Sequence, residues 1–129
     1  MIAVLAIALA FVPAKFPGLL VKGGFETPSG NIACNVGRIG PGTNGARAIA
    51  CAVFSTENRK GIKTWWMKTT GKAQAAYAQA NPATDYPKLA YGKKYSWQGI
   101  NCKSAKAGLT CTNKSGHGFF LSKQSQRIF

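Results

Sequence analysis

The single histidine of this 129-residue chain, His117, lies between two glycines in the stretch SGHGF. An imidazole serves a hydrolase as general base when a nucleophile and an orienting carboxylate stand beside it. Serines are available, but the only carboxylate side chains are Glu26, Glu57 and Asp85, and none shares a motif with His117. Glycines on both sides permit a tight turn or a close backbone approach. We therefore interpret His117 first as a turn residue, second as a ligand contact and third as a catalyst.

A second kind of chemistry, the binding of polyanions, is suggested by a basic stretch around two adjacent tryptophans. Cations neutralise phosphates or carboxylates, and aromatic rings stack on bases or sugars. Neighbouring residues of a strand point to opposite faces, so we expect at most one tryptophan to be presented and the other to lie in the core. The alternative is a core with a solvated basic rim. The candidates are Arg59, Lys60, Lys63, Trp65, Trp66, Lys68 and Lys72, with a weaker cluster at Lys93, Lys94 and Trp97.

The whole chain is strongly basic, with 17 Lys and Arg against three Asp and Glu and a formal net charge of +14. Such an excess bears on solubility and partners rather than on the fold. It predicts either a solvated basic surface or a surface for an anionic partner: nucleic acid, an acidic cell-wall polymer or an anionic membrane. No metal or cofactor is expected, because no C-x-x-C pair occurs and one histidine cannot complete a usual zinc set.

The last two of the four cysteines lie in a segment that reads as a hairpin. INCKSAKAGLTCTN contains two short strands around a four-residue turn at 105–108. Pairing Ser104 with Leu109 places Lys103 opposite Thr110. The same register places Cys102 opposite Cys111, so a disulfide between them is predicted.

A similar pattern surrounds the first two cysteines. The β-rich runs NIACNV and AIACAVF flank a loop at 37–47 that is rich in glycine. Cys34 and Cys51 can then meet across an antiparallel pair. Each bridge closes a short loop and stabilises the fold by about 3 kcal/mol on the chain-entropy model. Two disulfides predict an oxidising compartment outside the cytoplasm.

Residues 1–24 form an apolar N-terminal segment, which we separate from a single small domain at 25–129. MIAVLAIALAFV has the length of the apolar region of a secretory signal. A membrane anchor over residues 2–21 is the alternative, although it would have to accept Lys15 and two prolines. A buried strand or helix is the third possibility.

The remaining pattern favours an all-β fold. The 15 glycines are scattered between short apolar runs, which is typical of a small sandwich or barrel. One segment is ambiguous: Lys72 to Ala80 is alanine-rich and ends at Asn81-Pro82, as a helix would, yet it also alternates in part like a strand.

Two Ser-Gly turns, in SGNI (29–32) and SGHGF (115–119), each precede an apolar run, which raises the hypothesis that they lie near each other. SGNI is interpreted as a structural turn, because short polar side chains there bond to local backbone. Asn113-Lys114-Ser115 fits a glycosylation sequon, a pattern that is frequent by chance.

Three stretches taken together carry a family resemblance: FETPSGNIAC (25–34), LAYGKKY (89–95) and INCKSAKAGLTCTNKSGHGFFLSKQSQRIF (100–129). They resemble an uncharacterised family of exported bacterial domains with S-P-S-G-N-I-x-C near the start and G-V-T-C-x-N, then G-H-G-F, near the end. The resemblance implies a signal-bearing, disulfide-stapled domain and a strand at 71–80. The chain lacks an additional cysteine pair that members often carry, so one bridge of the family is absent.

These observations predict an exported, non-enzymatic binding domain with a basic face toward an anionic partner. One alternative is an accessory or structural subunit of a membrane or surface assembly, held by residues 2–21. The other is a small secreted hydrolase centred on His117.

Overall fold

The computed structural model describes residues 15–79 and 81–129, which form two antiparallel sheets of five strands each. The strands of the first sheet are β1 Leu19–Glu26, β2 Ile32–Ile39, β3 Arg47–Val53, β4 Ile62–Lys68 and β5 Gln74–Ala78. Those of the second are β6 Lys94–Trp97, β7 Ile100–Ala105, β8 Gly108–Thr112, β9 Gly118–Leu121 and β10 Gln126–Ile128. Neighbours along the chain are neighbours in each sheet. The described residues contain a short 3-10 turn but no α-helix, which confirms the all-β class.

Both predicted disulfides are present, each between directly paired residues of adjacent strands. Cys34 pairs with Cys51 at a Cα–Cα distance of 4.1 Å, and Cys102 pairs with Cys111 at 4.0 Å. The register predicted for the second hairpin is confirmed, including Ser104 opposite Leu109. The two disulfides indicate a protein exported to an oxidising compartment.

The loop expected at 37–47 is shorter in the structure. β2 continues to Ile39 and β3 begins at Arg47, so that Arg38 pairs with Arg47. The guanidinium of Arg38 donates to the carbonyl of Gly45 at 3.0 Å, which ties the loop back onto the strand. Local side-chain bonding thus extends the hairpin beyond the point where glycines suggested that it ends.

The core lies between the facing sides of the two sheets. Alternate residues of each strand point inward, as the two-residue period requires. Both disulfides belong to this core, which explains their buried sulfurs. The largest contributors are Ile49, Trp65, Met67, Ile100, Leu109, Phe119 and Leu121.

The outer faces of the two sheets differ. On the first sheet the outward residues are mostly small and still buried, Ala33, Ala48 and Ala52 among them. The connection between the sheets covers this face, because the Asn35 side chain exchanges hydrogen bonds of 2.9 Å with the backbone N–H and carbonyl of Ala83. The outer face of the second sheet carries exposed polar and basic residues.

The same connection then passes the edge of β1. Glu26 bridges Lys88 in parallel orientation, and the N–H of Leu89 donates to the carbonyl of Glu26 at 2.8 Å. Farther on, the ring of Tyr95 packs against Phe25 with centroids 4.7 Å apart. These contacts fix one edge of the second sheet over the first.

The ambiguous alanine-rich segment is a strand, β5, as the family resemblance implied. Its pairing with β4, from Ile62 opposite Ala78 to Trp66 opposite Gln74, overrides its helix propensity. β1 begins at Leu19, so the sheet includes residues 19–24 of the apolar N-terminal segment. Of the rest of the predicted signal or anchor segment, residues 15–18 precede this strand as coil, and residues 1–14 lie outside the described residues. Within the described ranges, no helix has the length and apolar character needed to cross a membrane.

Candidate functional site

The basic cluster predicted around 59–72 does not form one face. Arg59 and Lys60 lie in the turn before β4, whereas Lys68 ends that strand and Lys72 lies in the turn after it. A seven-residue strand is about 20 Å long. The two pairs therefore lie at opposite ends of the first sheet, and the expectation of a single basic patch is wrong.

Both tryptophans of that cluster are buried, at 3% exposure for Trp65 and 4% for Trp66. Trp65 points into the core, and Trp66, on the opposite face, packs against Phe16 with ring centroids 5.3 Å apart. Neither ring is therefore presented for stacking, because Phe16 covers the outward one, and both tryptophans fit the alternative of a core with a solvated basic rim. Lys63 makes cation–π contacts within the molecule, since its ammonium lies 5.2 Å from the centre of the Trp65 ring and 6.0 Å from the centre of the Tyr77 ring.

His117 is half-buried in a turn that a neighbouring asparagine organises. The Oδ1 of Asn113 accepts hydrogen bonds from the N–H groups of Ser115 and His117, at 3.0 and 3.2 Å. Its Nδ2 donates to the carbonyls of Lys68 and Gly71, at 3.0 and 2.8 Å. The histidine thus belongs to a turn that Asn113 fastens to the turn after β4. Because both hydrogens of that buried amide are engaged, the sequon is not accessible for glycosylation in the folded domain.

The two Ser-Gly turns lie at opposite ends of the sandwich, so the hypothesis that they are neighbours is wrong. The turn at 29–31 precedes β2, and its Asn31 exchanges hydrogen bonds with Ser55, at 2.9 and 3.3 Å. Ser55 in turn donates to the carbonyl of Lys123 in the turn between β9 and β10. The turn at 115–117 lies at the other end of β8 and β9.

A single row of residues crosses the outer face of the second sheet, and we call it the transverse row. Strand pairing places each member directly opposite the next. With strands about 4.8 Å apart, five of them carry the row over about 19 Å. From one edge to the other, its members are Lys94, Lys103, Thr110, Phe120 and Arg127.

The charges of the transverse row have no acidic counterpart on their sheet. Lys94 and Lys103 are exposed and directly opposite, an arrangement of like charges that destabilises a pair of strands. All three acidic residues precede β6 in the chain. At the far edge the guanidinium of Arg127 lies 4.7 Å from the centre of the Phe120 ring. The outer face of the second sheet therefore carries cationic side chains and no acidic ones.

The first half of the row borders a shallow groove of about 410 Å³, lined also by Asn101 and Thr112. These side chains add amide and hydroxyl groups to the two ammonium groups. The arrangement can hold anionic oxygens, but it presents no general base. Lys93 is exposed beside Lys94, with its backbone carbonyl bonded to the N–H of Ser104 at 3.0 Å. Among the residues that the structure describes, no cluster of His, Cys, Asp or Glu could hold a metal ion.

Of the residues predicted from sequence, only Lys94 belongs to the transverse row. Lys103, Thr110, Phe120 and Arg127 were not identified as candidates. A signal for two of them was present, since the hairpin register that pairs Cys102 with Cys111 also pairs Lys103 with Thr110 on the other face. The rest of the row depends on three turns, those between β6 and β7, between β8 and β9, and between β9 and β10.

Comparison with known proteins assigns a family without an activity. The model of a family of unknown function, DUF6636, matches residues 3–129, so the chain belongs to that family. This agrees with the resemblance to an uncharacterised family. No curated protein and no solved structure matches the chain.

Proposed function

We propose that this DUF6636 member is an exported, non-enzymatic binding domain that holds an anionic polymer against the transverse row. The observation that carries the proposal is the placement of two directly opposed lysines and an arginine, all three exposed, on the outer face of the second sheet. Its partner is a chain of repeated negative charges rather than a small anion, because the cationic groups lie at both ends of a row about 19 Å long.

Electrostatics supports a partner of this kind. A purely structural surface gains from opposite charges on paired positions and loses from like charges. The repulsion between Lys94 and Lys103 lowers the stability of the fold, and a bound anion offsets that loss. Each phosphate or carboxylate that a lysine neutralises also releases counterions from the polymer, which favours binding. The absence of acidic side chains after Asp85 removes local competitors for the same ammonium groups.

The shape of the face supports an extended ligand. The first sheet has its outer side covered by Phe16 and by the connection that bonds to Asn35, whereas the exposed lysines of the second sheet leave its outer side open. An exposed sheet face with a transverse basic row suits an extended polymer that crosses the strands. Thr110 and the edge of Phe120 supply hydrogen-bonding and apolar contacts between the charges.

The experiment compares two triple variants with the same change in net charge. The first, K94Q/K103Q/R127Q, removes the charges of the transverse row, and the second, R59Q/K72Q/K22Q, removes three exposed charges elsewhere. Inorganic polyphosphate is the probe, and its dissociation constant is measured from about 50 to about 300 mM salt. We expect the first triple variant to reduce the slope of log affinity against log salt concentration by the amount that about three phosphate contacts contribute. The second triple variant should leave that slope nearly unchanged. Equal weakening by the two triples would mean that the attraction is diffuse, and the proposal would fail.

A further inference from the structure

A pocket of about 360 Å³ lies at the end of the sandwich away from His117, where several turns meet. The turns between β1 and β2, between β7 and β8, and between β9 and β10 form its walls. Ile32 and Leu109, both buried, give it an apolar floor. The pocket is separate from the transverse row, so a ligand bound there adds to the proposed function and does not depend on it.

Hydrogen bonds hold the walls of this pocket in place. The hydroxyl of Thr27 accepts from the N–H of Ile32 at 3.2 Å, which fixes the first turn. Asn31 and Ser55 bond reciprocally, and Ser55 reaches the carbonyl of Lys123 in the third turn. Within that turn, the N–H of Ser125 donates to the hydroxyl of Ser122 at 3.0 Å. Walls fixed in this way lose little conformational entropy when a ligand binds.

The groups that face the pocket from its rim have a consistent chemistry. Lys106, Lys123 and Gln124 are exposed and supply two ammonium groups and one amide. Tyr91 is 47% exposed, which is high for an aromatic side chain, and it brings a ring and a hydroxyl to the same rim. No acidic side chain lines the pocket. These groups suit an occupant that accepts hydrogen bonds, carries negative charge and offers an apolar face to a ring.

We propose that the pocket binds an acidic sugar, a pyranose ring that carries a carboxylate. The C–H face of the sugar lies on the Tyr91 ring, its hydroxyls accept from Gln124, and its carboxylate lies between Lys106 and Lys123. The volume lies in the range of small-molecule sites. A phosphodiester is the alternative occupant, because ammonium groups bind phosphates and carboxylates alike, and the test below distinguishes the two.

The test uses the full chain and two tetrasaccharides, tetragalacturonate as the acidic probe and maltotetraose as the neutral one, by calorimetry. We expect tetragalacturonate to bind more tightly than maltotetraose. Tyr91→Ala should weaken that binding about tenfold, the scale of one lost aromatic contact. K106Q/K123Q should abolish the preference for the acidic probe. The matched controls are Tyr77→Ala, at another exposed tyrosine, and K22Q/K72Q, and both should bind within about twofold of the parent.

Three outcomes would overturn the inference: no preference for tetragalacturonate, equal losses in the control variants, or tighter binding of an oligothymidylate through the same residues. K94Q/K103Q/R127Q separates this inference from the proposed function, because adding Tyr91→Ala to that triple variant should still weaken tetragalacturonate binding about tenfold. Loss of polyphosphate binding with retained tetrasaccharide binding, or the reverse, identifies which of the two surfaces fails.

Discussion

Lys94 on β6 and Lys103 on β7 lie directly opposite each other, and both are exposed on the outer face of the second sheet. Two ammonium groups on a directly paired position repel each other, and no acidic residue follows β5 except Asp85, which precedes the sheet. A strand pair that tolerates this repulsion carries a cost without a structural benefit. That cost is the physical basis of the proposed binding face.

Relief of this repulsion should be measurable without any ligand. We expect Lys103→Gln to raise the free energy of unfolding by a few tenths to about 1 kcal/mol, the range of a cross-strand pair. Added salt should stabilise the parent more than the variant, because screening acts on the pair that the variant lacks. Denaturant unfolding at two salt concentrations measures both effects. Lys22→Gln, at an exposed position of β1, is the control; a loss of stability in Lys103→Gln would contradict the electrostatic argument.

Asn113 should matter far more to stability than His117. Asn113→Ala leaves the carbonyls of Lys68 and Gly71 and two backbone N–H groups without their partner. We expect a loss of about 2–3 kcal/mol in the free energy of unfolding. His117→Ala removes only a half-buried ring, and its cost should stay below about 1 kcal/mol. Chemical denaturation of the two variants side by side measures both losses. A larger loss in the free energy of unfolding for His117→Ala than for Asn113→Ala would show that the His117 ring has a role that the turn does not explain.

The two disulfides should stabilise the fold by similar amounts. Replacing both cysteines of either pair by alanine should lower the free energy of unfolding by about 3 kcal/mol, slightly more for Cys34–Cys51 because it closes the longer loop. Calorimetric unfolding of the two double variants measures this. Peptide mapping without reduction checks the pairing, and a crossed peptide would contradict the register of both sheets.

Stability should depend on Tyr95 at alkaline pH. Burial raises the pKa of the Tyr95 phenol above its ordinary value of 10.0, and the neighbouring Tyr86 raises it further. The unfolded chain therefore loses this proton first, so the contribution is complete below about pH 10 and is lost as pH rises toward the folded pKa. Relative to the parent, Tyr95→Phe should become more stable between about pH 9 and pH 11, where lysine deprotonation affects the two proteins alike. If the stability difference between the two proteins stays constant over this range, ionisation of the Tyr95 phenol is not linked to folding.

The parts of the fold that sequence could predict depend on local pairing. Cys102 and Cys111 surround a four-residue turn, so one register satisfies both the turn and the bridge. The transverse row depends on features of longer range. Lys94 meets Lys103 only because Gln98 and Gly99 form a two-residue turn with positive φ angles of 51° and 85°.

The predicted basic cluster failed for a related reason. Nothing local indicates that Phe16, fifty positions earlier, covers Trp66. Proximity in sequence also did not mean proximity in space, since the extended β4 places Lys60 and Lys68 at its two ends. A cluster of charges on a strand spreads at about 3.4 Å per residue, whereas residues on neighbouring strands approach to about 5 Å. Basic surfaces of β proteins therefore form across strands, and register decides them.

Backbone amide shifts of isotope-labelled protein, titrated with inorganic polyphosphate at low and at high salt, test the central claim most directly. The account predicts that the largest changes fall at Lys94, Lys103, Thr110, Phe120 and Arg127 and diminish with added salt. Changes that instead concentrate in the turns that carry Arg59, Lys60 and Lys72, or that spread evenly over all exposed lysines, would contradict it.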